Sequence, residues 1–503
     1  MLFNSYAFCF VFLPAVLLAV FALRHQNWFS MVRVLIFGSL VFYLFNNPMD
    51  LWPLVASLGF NYAIARKLLT HRSKWLFALG VVGNAAFLGF YKYFALFSDN
   101  TGLLTNLSIV LPLAISFYTF QQIAFLTDIY NRVIKGFDTH SYLTFICFFP
   151  QLVAGPIVHY NDVTPQFKAE ETRKFNIDNF SIGLCIFLTG LFKKVVLADI
   201  VFMPTSDKIF SAIDAGVEPT FVDSWIGILC YSFQIFFDFS GYSDMAIGLA
   251  RMFNITLPIN FNSPYKSASI IQFWRNWHIT LSNFLKTYIY IPLGGSRKGQ
   301  SRQYANLLIV MFIAGLWHGS GLHFVIWGIL HGLLLCINHV WNLVPLGQIR
   351  ENVFYKLASV GFTFGVVTIL WSFFRASDIS AAMVMLEGLA GLNGIVVPEA
   401  YGFLSLPFIQ FNEDALLIQN VFQMTAYIVF GLFVVWFMPN VYQVFRGFKP
   451  ALYVDKLQSL FYILPHVLVF RYNAVWLMFY VVLMVICTLS LGVVNREFLY
   501  FQF

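Results

Sequence analysis

Charge is what this chain has least of. Of its 503 residues only 11% are Asp, Glu, Lys or Arg, against 59% hydrophobic, and the mean hydropathy is +0.74. Soluble domains carry about 25% charged residues, so a water-exposed globular surface is excluded. The six cysteines (Cys9, Cys147, Cys185, Cys230, Cys336, Cys487) stand singly in apolar runs, without C-x-x-C or Cys/His ligand spacing. That pattern argues against a disulfide framework and a thiolate metal site, and leaves small buried thiols. The spacing H-E-x-x-H is also missing, so no metal centre is expected. Internal repeats, low-complexity tracts and long polar linkers are lacking, which argues against an appended soluble domain. The net charge of +7 is modest, and no nucleic-acid partner is expected.

What the chain has is apolar length. Candidate spans fall near 5–23, 32–46, 51–65, 75–96, 106–127, 141–158, 179–201, 222–250, 304–321, 323–342, 355–373, 416–438 and 474–494. The expectation is an all-α polytopic membrane protein, one domain over 1–503, with roughly 11–13 membrane segments, some re-entrant or interfacial. The first span lacks a basic flank and a small-residue cleavage site, and reads as a retained helix.

Lys and Arg in short loops set orientation. Arg24 and Arg33, then Arg66, Lys67, Arg72 and Lys74, then Arg132 and Lys135 alternate with the polar connections at Asp50 and Asp99. This alternation predicts both termini on the periplasmic side of a bacterial inner membrane. From Arg251 to Arg302 there are seven Lys or Arg and no Asp or Glu, a cytoplasmic signature. It is also a place for a polyphosphorylated soluble donor to dock.

The chain's polar chemistry concentrates in 233–332, in FQIFFDFSGYSD (Phe233–Asp244), FWRNWHITLSNFLKTYIYIPLGGSRKG (Phe273–Gly299) and GLWHGSGLHFVIWGILHG (Gly315–Gly332). Ionisable groups within lipid-soluble sequence are functional candidates by default. His278 and His318 each follow a tryptophan, forty positions apart. Asp238, Ser240, Tyr242, Ser243 and Asp244 read as a supporting polar cluster that staples helices, with Arg251 or Arg275 as partner to a buried carboxylate. His323 and His331 read as packing or surface groups. On a continuous helix thirteen positions put His331 about 220° from His318. Lys286, Arg297, Lys298 and Arg302 flank or line GGSRKG, where glycines let backbone amides approach an anion. The spacing is not that of a P-loop.

These stretches, with MLFNSYAFCFVFLP, QQIAFLTDIY and PQLVAGPIV, resemble the membrane-bound O-acyltransferase (MBOAT) family, in its bacterial alginate/peptidoglycan O-acetyltransferase branch. The resemblance covers most of the chain and is densest over 111–332. It implies the MBOAT fold around a central tunnel, with catalytic histidines at His318, deep in the membrane, and His278. It also implies acetyl-CoA as donor substrate on the cytoplasmic side, no bound cofactor, and a polysaccharide acceptor outside. Overall length and the long opening lean toward alginate or a similar exopolysaccharide, with peptidoglycan as the alternative. The tail, 495–503, ends FLYFQF, similar to a C-terminal motif of this branch in which a tyrosine carries acyl. Tyr500 is then an acyl carrier, handing acetyl to a periplasmic SGNH-type acetyltransferase, or else an interfacial anchor. A transporter or flippase shares the many spans. Transporters, however, tend to break helices in two matching halves, whereas here the polar motifs gather in one stretch.

Overall fold

Lipid offers no partner to a free peptide group, so apolar runs of this length must wind into helices. The computed structural model describes residues 1–23, 28–45, 47–101, 111–153, 155–397, 409–411, 416–418, 420–454, 468–493 and 499. Among these residues the only strand pair is Ile395–Val397, parallel to Ile409–Phe411; the architecture is otherwise helical. Lys74–Phe94, Leu322–Trp341 and Val353–Arg375 are each long and apolar enough to cross a membrane. Five shorter apolar helices accompany them, Ala7–Ala22, Trp28–Leu44, Ile379–Leu389, Val421–Phe437 and Ala474–Ser490. Helix starts are fixed by short polar side chains accepting from free amides, as Asn352, Asp378 and Asn473 do. Trp75, Phe362, Phe422 and Val475 are large apolar groups exposed on outer faces. A bilayer covers such groups, and this is a polytopic membrane protein of the all-α class.

One expected span is broken. Over 141–158 the helix Thr139–Cys147 ends where Phe148 turns out of helical space (φ −55°, ψ 108°). Only a single turn, Phe149–Leu152, follows, with Pro150 inside it. A proline in that turn cannot accept the register of a preceding helix, because it has no N–H to donate back.

The chain divides into two compact units. Unit 1 comprises Met1–Phe192, Ser240–Asn260 and Val441–Phe503. Its helix Ile177–Phe192 lies hard against the second half of the Phe221–Met252 helix. A Cβ on Gly183 would stand 2.6 Å from the Gly248 carbonyl oxygen, and one on Gly190 2.5 Å from that of Gly241. Both glycine pairs are seven residues apart, two helical turns, so small residues recur along the contact line and let the backbones meet. Unit 1 also ties off its polar groups internally. Asn61 and Asn84 exchange amide hydrogen bonds, and the Arg251 guanidinium donates to the carbonyls of Lys449 (2.6 Å) and Phe448 (2.7 Å).

Unit 2 comprises Lys193–Phe239 and Phe261–Asn440. At its centre Gln300–His318 and Leu322–Trp341 form a helical hairpin closed by Gly319–Gly321. A Cβ on Gly315 would come within 2.4 Å of the Phe324 carbonyl oxygen, and one on Gly328 within 2.3 Å of that of Met311. Neither backbone can move aside, so glycine at both positions sets the spacing of the hairpin. The hairpin in turn sets where the first helix ends, which is at His318.

Candidate functional site

His318 is the last residue of its helix, 4% exposed, and walled by rings. Trp327 meets it edge-on at 5.1 Å and 89°, Phe374 at 5.0 Å and 73°, and Trp317 at 4.8 Å. His278 sits at the junction of two short helices, Ile270–Asn276 and Ile279–Leu285, in the left-handed region at φ 42°, ψ 55°. A non-glycine residue held there is strained by about 1–3 kcal/mol. The packing that holds it is aromatic: Phe239 stands perpendicular to the imidazole at 4.7 Å, and Trp317 lies 6.1 Å away. Trp317 is thus a ring neighbour of both histidines, so residues forty positions apart share one aromatic box. His278 lies outside the expected spans, and its burial alone pushes the imidazole down to about 3, holding it neutral.

The box continues into Leu322–Trp341 and Val353–Arg375. Trp327 stacks on Trp371 at 5.9 Å and 19°, and Trp277 lies 5.1 Å from Trp371. The indole N–H of Trp371 donates to the Tyr265 hydroxyl (3.3 Å), which donates to the Ser232 carbonyl (2.7 Å). These bonds fix the walls to the Phe221–Met252 helix. His331, fully buried, accepts at Nδ1 from the Trp274 indole N–H (3.3 Å) and packs 4.8 Å from Trp327. The continuous-helix premise that set His331 apart from His318 therefore fails. The helix stops at His318 and resumes at Leu322, and Trp327 touches both imidazoles.

The expected polar cluster divides, and its expected partners are corrected. Asp238 pairs with Lys194, which also binds Asp199 at 2.8 Å, all three at most 3% exposed. Arg251 instead serves backbone carbonyls and Arg275 is exposed, because neither side chain reaches the carboxylate as Lys194 does from the wider π-helical turn Lys193–Phe202. Ser240, Tyr242, Ser243 and Asp244 belong to unit 1. There Tyr242 stacks on Phe3 at 4.8 Å and Asp244 accepts from the Tyr442 hydroxyl at 2.6 Å. Lys194 and Asp199 escaped sequence reasoning although both stand in the apolar run 179–201, where any ionisable group is a signal.

Lys286, Arg297, Lys298 and Arg302 are all exposed, and the turn between them carries left-handed Gly294, Gly295 and Gly299. Asn306 anchors this turn by donating to the Gly295 carbonyl at 2.9 Å. Tyr500 lies outside the described residues. Among the described residues no group of three or more His, Cys, Asp or Glu side chains is placed to hold a metal ion.

A buried neutral imidazole in an apolar box is suited to taking a proton from a hydroxyl and returning it to a leaving group. Comparison with known proteins bears on which reaction that is. The family model described as MBOAT, membrane-bound O-acyltransferase family, matches residues 130–374, a range containing both histidines and the whole aromatic box. A Helicobacter pylori protein named peptidoglycan O-acetyltransferase is 42% identical over 434 residues, spanning 78% of this chain and 81% of that protein. A Pseudomonas aeruginosa protein named probable alginate O-acetylase is 36% identical over 407 residues, 77% of this chain and 75% of that one. A Streptococcus thermophilus teichoic acid D-alanyltransferase is 26% identical over 285 residues, 52% and 68% of the respective chains.

Proposed function

Because the chain belongs to the membrane-bound O-acyltransferase family and is an O-acyltransferase, we propose that it takes an acetyl group from cytoplasmic acetyl-CoA and passes it across the inner membrane to O-acetylate an extracytoplasmic polysaccharide. The observation that carries this reading is His318, buried in a box of rings with Trp317 bridging to His278. In this reading His318 draws the proton from an acceptor hydroxyl as its oxygen bonds to the thioester carbonyl carbon. The tetrahedral intermediate collapses with loss of the C–S bond, and the imidazolium protonates the departing thiolate. His278, neutral and held by Phe239, steadies the reacting groups. The exposed Lys286, Arg297, Lys298 and Arg302 attract the donor's phosphates.

For the acceptor, the overall length favoured an alginate-like polymer. The identities, 42% against 36%, favour peptidoglycan and make it the reading to test first. Tyr500 is the proposed carrier between His318 and a periplasmic SGNH-type acetyltransferase. A phenol ester keeps the acyl group activated because phenolate leaves more readily than an alkoxide.

The test uses the full chain in vesicles with radiolabelled acetyl-CoA outside. An acyltransferase releases free thiol and labels protein or supplied glycan; a transporter moves solute and leaves the thioester intact. Tyr500→Phe separates carrier from anchor. Unchanged glycan acetylation at equal protein level would leave only the anchor.

A further inference from the structure

Two buried N–H groups, one on His331 in ring contact with Trp327 and one on Trp327 in ring contact with His318, have no hydrogen-bond acceptor among the described residues: Nε2 of His331 and the indole Nε1 of Trp327. The first is a donor by necessity. An indole N–H can only donate, so Trp274 makes Nδ1 of His331 the acceptor and leaves the ring's proton on Nε2. His331 is 0% exposed and Trp327 1%. A buried donor left without an acceptor costs about 1–3 kcal/mol, so a site keeping two of them is built for something that accepts. Their surroundings narrow what that is. Trp327 is in ring contact with His331 at 4.8 Å and with His318 at 5.1 Å, and the other neighbours of His331, Phe273 and Trp371, are aromatic. Among the described residues the ring neighbours of His331 carry no charge, so the complement is a neutral oxygen that accepts without donating. A thioester carbonyl fits, and its oxygen gains negative charge as the tetrahedral intermediate forms. An acceptor hydroxyl fits less well, because its own proton must face the base.

We propose that His331, held in its Nε2–H form by Trp274, donates to the carbonyl oxygen of the transferred acyl group, with Trp327 as the second donor of the same cradle. The proposal rests on the reading of His318 as base, and the two can fail separately.

The test is binding, not turnover. Two non-reactive donor analogues differ only in the carbonyl: acetonyldethio-CoA, a ketone, and the same dethia analogue with a methylene in place of the carbonyl. Affinities are measured for the full chain in nanodiscs. The wild type prefers the ketone by about a hundredfold, the worth of two buried hydrogen bonds. His331→Phe reduces that preference to about tenfold, the share of the Trp327 indole, and His331→Gln, whose amide can donate, restores several-fold. Trp274→Phe keeps the imidazole but frees its tautomer, and gives an intermediate value. His318→Ala retains the ketone preference while losing turnover. A preference unchanged in His331→Phe overturns the proposal, as does equal weakening of both analogues, which marks a packing role. If His331→Phe does not fold, the Gln and Trp274→Phe variants decide: wild-type preference in Trp274→Phe overturns it. Turnover surviving in His318→Ala would sink the base assignment and leave the carbonyl contact standing.

Discussion

Replacing Lys194 by Met tests how the site is held in place. Its ammonium is 2% exposed and bridges two carboxylates, Asp199 at 2.8 Å and Asp238. Methionine has similar length and no charge, so the change removes the pair's electrostatics with little loss of volume. Breaking a buried pair from one side costs about 3–5 kcal/mol, because the abandoned charges must be neutralised or hydrated where they lie. Replacing all three groups, Lys194→Met with Asp199→Asn and Asp238→Asn, leaves no stranded charge, and what remains is the cost of buried amides without their partner, about 1–3 kcal/mol. The consequence reaches the chemistry through one residue. Asp238 precedes Phe239, whose ring fixes His278 at 4.7 Å, so a shifted helix turn releases the second histidine. The assay is equilibrium unfolding in mixed micelles beside turnover. The single variant loses most stability and at least tenfold in rate, while the triple variant recovers more than half of both. A single variant as stable as wild type, or a triple variant no better than the single, would refute this reasoning.

Other perturbations follow from the same geometry. His278→Asn keeps a side chain tolerant of left-handed backbone while removing the imidazole; it should unfold like wild type and turn over at least tenfold more slowly, and wild-type turnover would reduce His278 to a packing group. Gly328→Val drives a branched side chain onto the Met311 carbonyl, 2.3 Å from where a Cβ would stand. It should lose about 1–3 kcal/mol by overpacking and most activity, read by thermal unfolding and turnover together. In the loop before Thr139, burial works to raise the Asp138 carboxyl, but the Lys168 ammonium and the Ser141 hydroxyl and amide prevail and hold it down at about 2. Its contribution is complete above the unfolded carboxylate range near 3.9 and fades as pH falls toward 2. Because the pair is partly exposed and screened, Asp138→Asn should lower stability modestly at pH 7 and no longer at pH 2, measured by unfolding at both.

Helix positions were legible because hydrophobic length alone forces them in lipid, and twelve of the thirteen expected spans overlap a described helix of ten residues or more. The exception, 141–158, failed because Phe148 and Pro150 act through local backbone geometry that a hydropathy window averages away. His278 and His318 stood out through their tryptophan contexts, and the structure joins them through Trp317. The partner of Asp238 was not legible. Ion pairing depends on which helix faces which, so two arginines close in sequence were favoured over Lys194, more distant in sequence and adjacent in space. For His331 the packing role expected from the sequence agrees with its burial among Trp274 and Trp327, but the azimuth argument behind it means nothing once Gly319–Gly321 breaks the helix.

The most direct measurement is thiol release from acetyl-CoA by the full chain with His318→Ala, at matched protein level and with donor-analogue affinity measured in parallel. The account predicts analogue binding within about threefold of wild type and turnover lower by at least 10²-fold, the range for removing a general base. Turnover within a few-fold of wild type would contradict it.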